Sequence, residues 1–148
     1  MEGNLRFSIF DNNIISDVFG EEVVLVNLET GVYYSLRASA TQVWIRLQNN
    51  YSVDEVVAEL SSIYESDRSI LTHDIISFIQ QLVEKNLIKE SSLIEKINIP
   101  TNQNSAKLAY LAPVLEIFSD MQEILLLDPV HDVDKAGWPV SKDINSSK

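Results

Sequence analysis

The chain has 148 residues, with 11 Lys and Arg against 22 Asp and Glu for a formal net charge of −11, and 45% of its residues are hydrophobic. That is the balance of one soluble domain with a short appendage, large enough to bury a core. Such an acidic surface repels phosphate backbones and anionic lipid, and the absence of cysteine removes disulfides, thiolate nucleophiles and thiolate metal sites. Met1 to Phe10 holds no apolar run of signal-peptide length, and nowhere do about 18 apolar residues follow one another. The expectation is a cytoplasmic protein without nucleic-acid or membrane partners.

Ile14 to Phe19 and Glu22 to Leu28 are rich in Val and Ile and flank Gly20, which predicts two strands joined by a turn. Glu29-Thr30-Gly31 is the next turn. It leads into a third strand, Val32 to Leu36, with Val32, Tyr34 and Leu36 on one face and Tyr33 and Ser35 on the other. The period then becomes helical: Ala40, Val43, Trp44 and Leu47 fall at i, i+3, i+4 and i+7, and Ser39 with Gln42 has the spacing of a capping box. A second helix opens on the box Ser52 and Glu55 and carries Val53, Val56, Val57, Leu60, Ile63 and Tyr64. A third is expected to open at Thr72, with Asp74 in its first turn and Ile75, Ile76, Phe78, Ile79, Leu82 and Val83 as a broad apolar arc. Asn86 suits a left-handed cap, after which Leu87-Ile88 returns to the core. The fold class is therefore α+β, a three-stranded antiparallel sheet followed by three helices, with the third strand left at an edge whose N–H and C=O groups are open to another extended chain.

All four prolines, Pro100, Pro113, Pro129 and Pro139, fall in the last third, and the polar stretch Asn98 to Ser105 reads as a linker. The expected plan is a domain over residues 1–98, a linker over 99–109 and a tail over 110–148. In the tail, Val114, Ile117, Phe118, Met121, Ile124 and Leu125 have helical spacing, which predicts a helix within Val114 to Leu127.

No phosphate loop, nucleophile elbow or His-rich helix pair is present, so no catalytic residue and no cofactor is expected. Asp128 to Asp134, with His131, could hold a hard cation loosely, but a short acidic tract beside proline is better read as solvated, and no metal is expected.

The run Gly31-Val32-Tyr33-Tyr34-Ser35-Leu36, then Ala40-x-x-Val43-Trp44-x-x-Leu47, then Ser52-x-x-Glu55-x-x-x-x-Leu60-x-x-x-Tyr64, then Asp74-Ile75-x-x-Phe78-Ile79-x-x-Leu82-x-x-x-Asn86-Leu87-Ile88, resembles the PqqD-like family. These are RiPP recognition elements, domains that bind the leader of ribosomally made, post-translationally modified peptides. The resemblance covers residues 14 to 90 in the order and spacing of the set; it departs at Asn86, where glycine is more usual. It implies a winged helix-turn-helix-like fold, non-catalytic, that takes a precursor's leader as an added strand beside the third strand, in a groove walled by the third helix. The implied contacts are Val32, Tyr33, Tyr34, Ser35 and Leu36 on the strand and Ile76, Gln80 and Val83 on the helix. Implied partners are a precursor leader peptide and a maturation enzyme, whether leader peptidase, macrocyclase or radical enzyme. On spacing alone Trp44, Leu47, Leu60, Ile75, Ile79 and Leu82 belong to the core. DNA binding does not fit a third helix that offers His73, Asp74, Gln80, Gln81, Glu84 and Lys85, since its net charge has the wrong sign for phosphate.

The tail contains Tyr110-Leu111-Ala112-Pro113-Val114-Leu115, a Tyr-x-x-Pro-x-Leu arrangement similar to the recognition motif of lasso-peptide leaders. Three readings of Tyr110, Pro113 and Leu115 stay open: self-docking or exchange between two copies in a homodimer, a fusion of the binding domain with its own precursor substrate, or a structural helix that completes the fold. From another functional class, the competing reading is a structural or regulatory interaction subunit without a precursor peptide.

Overall fold

The computed structural model describes residues 2–93, 95–100 and 106–118. Strands β1 (Arg6–Ile9), β2 (Ile14–Phe19), β3 (Glu22–Asn27) and β4 (Tyr33–Arg37) precede α1 (Ser39–Gln48) and α2 (Val53–Ile63). A two-residue strand β5 (Tyr64–Glu65), the long helix α3 (Arg68–Glu84) and β6 (Ile88–Ser91) follow, and the tail adds β7 (Leu108–Ala109) and β8 (Glu116–Phe118).

The expected meander forms: β2 pairs with β3, and β3 with β4, both antiparallel. Gly20, at φ 64, makes the tight β2–β3 loop, a backbone region that costs glycine nothing. At the next turn the Asn27 Oδ1 accepts the backbone N–H groups of Glu29 (2.9 Å) and Thr30 (3.3 Å), which explains a buried asparagine at the end of β3. Val23, Leu25, Tyr34 and Leu36 on the inner face pack with Trp44, Leu47, Leu60, Ile75, Phe78, Ile79 and Leu82 in one core.

The sheet departs from expectation in having four strands, in the order β2-β3-β4-β8, because the tail supplies a strand that covers the β4 edge. Within the stretch expected to be helical, Glu116–Phe118 is extended; residues 119–127 lie outside the described residues. A short apolar run after Pro113 has no helical preference strong enough to oppose the hydrogen bonds an open edge offers. A further pairing, β1 with β6, was not expected beyond the return of Leu87-Ile88, since Arg6–Ile9 is too short for its alternation to stand out.

The helix starts show which local signals decide. Ser52 caps α2 as its spacing predicts: its hydroxyl accepts the Glu55 N–H (3.2 Å) and Glu55 Oε1 accepts the Ser52 N–H (2.9 Å). Two other α2 donors are satisfied by the N-terminal segment, Val53 N–H by the Leu5 carbonyl and Asp54 N–H by the Gly3 carbonyl. The Ser39–Gln42 box does not form. The N-cap of α1 is Ala38, at φ 55 and ψ −120, and Ser39 is the first helical residue. The chain turns from β4 into α1 through this single residue, a conformation that costs a non-glycine residue about 1–2 kcal/mol. Helix α3 begins at Arg68 rather than Thr72, because Leu71, fully buried, extends the Ile75, Phe78, Ile79 and Leu82 stripe back by one turn. Thr72 is inside the helix, its hydroxyl donating to the Arg68 carbonyl at 2.7 Å. At the far end Asn86 takes the left-handed cap at φ 58, and Leu87 and Ile88 are buried.

The segment after β6 runs along the corner between α1 and α2. Ile97 N–H donates to the Asn49 carbonyl (2.9 Å), Ile99 N–H donates to the Tyr51 hydroxyl (2.9 Å), and the Lys96 ammonium lies 4.7 Å from the Tyr51 ring centroid. Asn50, at φ 65, donates its side-chain amide to the carbonyls of Leu93 and Glu95.

Candidate functional site

The site is the outer edge of β4 together with the surface running from it, past the start of α1, to the N-terminal half of α3. Alternation along β4 decides what this edge offers. Asn27 N–H donates to the Val32 carbonyl, so the backbone groups of Val32, Tyr34 and Leu36 point at β3, and those of Tyr33, Ser35 and Arg37 point outward. Tyr34 and Leu36 place their side chains in the core, whereas Tyr33 and Arg37 lie on the outer face. Burial raises the Tyr34 phenol above its ordinary pKa. Ser35 is buried too, its hydroxyl donating to Glu22 across the sheet.

An extended segment of the chain itself occupies this edge. β8 pairs antiparallel with β4 in the register Tyr33 with Phe118, Tyr34 with Ile117 and Ser35 with Glu116. On the outer face the Tyr33 and Phe118 rings stack at 4.9 Å between centroids, and Arg37 Nη2 meets Glu116 Oε1 at 2.7 Å. Upstream, β7 pairs parallel with β5, matching Leu108 to Tyr64 and Ala109 to Glu65. Between the two pairings, the Ser39 hydroxyl donates to the Leu111 carbonyl at 2.7 Å. The residue whose spacing suggested a helix cap instead holds the tail backbone.

The three motif positions are the ones that face the domain. Tyr110 is half-buried, stacks edge-on against Tyr64 at 6.0 Å and donates its hydroxyl to Asp74 Oδ2 at 2.8 Å. Pro113 is buried, and Leu115 is 8% exposed and part of the core. Leu111 and Val114 between them are open to solvent, at 75% and 59%. Burial, then the hydrogen bond and negative charge of Asp74, raise the Tyr110 phenol far above its ordinary pKa, so it donates at every physiological pH. Asp74 therefore accepts a tail hydroxyl, a role its expected first-turn position did not foreshadow.

The helix residues expected at the groove, Ile76, Gln80 and Val83, fall at i, i+4 and i+7 along one face of α3. Ile76 is half-buried against the core. Gln80 and Val83 line a separate cavity of about 500 Å³ with Leu5, Phe7, Glu84 and Glu90, formed by α3 with β1 and β6. Sequence reasoning missed Tyr64, Asp74 and Ser39 as contacts of an extended chain. Each had a sufficient local explanation as core, helix-start charge and cap, so no signal short of the tertiary arrangement marked them. Among the described residues no His, Asp and Glu cluster could hold a metal ion, and the Asp128 to Asp134 tract lies outside them. No described helix is long and apolar enough to cross a membrane.

No curated protein matches the chain. Two solved structures do: TbiB1 in complex with the TbiA(beta) leader peptide, at 29% identity and TM-score 0.52 over 55% of this chain and 94% of that one, and a lasso peptide synthetase B1 complexed with the leader peptide, at 25% identity and TM-score 0.53 over 57% of this chain and 98% of that one. Both are covered almost end to end, so more than two fifths of this chain has no counterpart in them. Residues 22–88 match the family described as Coenzyme PQQ synthesis protein D (PqqD), and this stretch runs from β3 through the three helices to the first residue of β6.

Proposed function

We propose that the chain is a non-catalytic peptide-binding protein that recognises the leader of a ribosomally synthesised precursor as an added β-strand and presents the precursor to modifying enzymes in the cytoplasm. The observation that carries this reading is the pairing of an extended segment with β4, with alternate side chains seated against the domain. Main-chain hydrogen bonds at Tyr33 and Ser35 supply sequence-independent affinity, and the seats at Tyr64, Asp74 and the core margin supply selectivity. That two similar structures are leader-peptide complexes supports the same reading. The α3 surface, with Asp74 and Glu84 against Arg68, favours a peptide over a nucleic-acid backbone. Leader peptidases, macrocyclases and radical enzymes are all compatible partners.

The test is fluorescence anisotropy with labelled peptides encoded by short reading frames beside the gene, titrated against the full chain into the high micromolar range. Saturable binding that a proline at Ser35 abolishes is the expected result, since Ser35→Pro removes an outward N–H from β4. An absence of binding by every such peptide would leave a structural or regulatory subunit as the function.

A further inference from the structure

We infer that the ligand of this groove is carried in cis: Leu108–Phe118 is a tethered, leader-like occupant that a peptide arriving from outside has to displace. The inference rests on the proposed function and names the ligand that the site holds by default.

The contacts of this segment distinguish it from a strand added at random. Its backbone pairs twice, with β5 and with β4, and is held between them by Ser39. Tyr110, Pro113 and Leu115 face inward while Leu111 and Val114 face out, the pattern of a ligand whose anchors are spaced to the seats. Glu116 brings the acidic partner that the outer-face cation Arg37 calls for. The approach is also guided, since the segment before it is pinned to the α1–α2 corner through Ile97 and Ile99.

The occupant is nevertheless shallow. β8 has three residues, β7 is exposed throughout, and the Arg37–Glu116 pair is 61% and 40% exposed, in the range where ion pairs contribute little. Segments with few buried anchors open at much lower free energy than core strands. Tethering compensates, because a segment joined to the domain by a short stretch of chain is held at an effective concentration of order millimolar. A peptide in trans therefore sees only the undocked fraction, and its apparent affinity is reduced by that fraction.

The probe is a fluorescein-labelled peptide with the sequence of residues 106–118. It is titrated against the full chain and against the full-chain variant Tyr110→Ala, Pro113→Ala, Leu115→Ala. The variant is expected to bind saturably and the unaltered chain at least about 10-fold more weakly, which corresponds to a docked population of about 90% or more. Equal binding by both would overturn occupancy in cis and leave the domain's peptide-binding function standing. Binding by neither would overturn both. A second measurement is independent of the variant's folding. The chain has no cysteine, and Tyr33 faces Phe118 in register, so Tyr33→Cys with Phe118→Cys permits one disulfide at a separation that antiparallel pairing provides. Oxidation is expected to give a cross-linked monomer on a non-reducing gel. A disulfide-linked dimer would show that two copies exchange tails, and persistent free thiols would show an unoccupied edge; either outcome overturns the inference.

Discussion

Replacing Leu115 by alanine separates the docked tail from the rest of the fold. Leu115 is 8% exposed, so nearly the whole side chain leaves water when the tail docks. Full burial of a leucine contributes about 1.5–3 kcal/mol, and alanine retains a minor part of it, which leaves a loss of about 2 kcal/mol. At 1.4 kcal/mol per tenfold, the equilibrium constant for undocking should rise about 30-fold. Native-state hydrogen exchange reads this residue by residue. The amides of Tyr33 and Ser35 point toward β8 and should exchange faster in Leu115→Ala, by up to about 30-fold, while those of Leu25 and Tyr34, bonded between β3 and β4, should keep their rates. Unchanged protection at Tyr33 and Ser35 would refute the premise that the tail shields the β4 edge. Equal acceleration at all four amides would show instead that Leu115 supports the whole domain.

Two further predictions concern the scaffold. Glu55 is partly desolvated, which opposes ionisation, but the Ser52 N–H, the Arg6 guanidinium at 2.7 Å and the Lys96 ammonium outweigh this and lower its pKa from 4.5 to about 2. A depressed carboxylate contributes stability that is complete above about pH 4.5 and is lost as the pH falls through 2; with the side chain about a third exposed, screening limits it to about 1–2 kcal/mol. Chemical denaturation of Glu55→Gln should show that loss at pH 7 and a narrowing gap to the unaltered protein toward pH 2. At the end of α3, Asn86→Ala should cost about 1 kcal/mol and Asn86→Gly nothing, measured by thermal unfolding, because at φ 58 alanine bears the Cβ penalty without the local polar compensation that suits asparagine to this region, and glycine has no Cβ to penalise.

The elements legible in the sequence were those whose energetics are local. The β2–β3–β4 meander followed from alternation and turn residues, the Ser52–Glu55 cap from a reciprocal pair of hydrogen bonds within one turn, and the left-handed end of α3 from Asn86. The same kind of signal misled at Ser39 and Thr72. A hydroxyl three residues before a polar side chain can cap a helix, yet the tail carbonyl claims Ser39, and burial of Leu71 draws α3 past Thr72. The open edge was likewise legible along Val32 to Leu36 as a surplus of backbone donors and acceptors, while the register with β3 decided that Tyr33 and Ser35 carry them.

What covers that edge was not. Tyr-x-x-Pro-x-Leu showed that the tail resembled a ligand, and several arrangements of it were equally consistent with the sequence. The choice depended on distances between residues far apart in the chain: Tyr110 to Asp74, Leu111 to Ser39, Phe118 to Tyr33. Strand pairing is decided by which edge is free and within reach, and a helical pattern of six apolar residues carries no information about either. The sequence by itself determined an α+β domain with an open strand edge and a tail segment that resembles something to be bound. Only the tertiary structure brought the two together, because the edge hydrogen bonds and the seats for Tyr110 and Leu115 exist only once β4, α1 and α3 have packed.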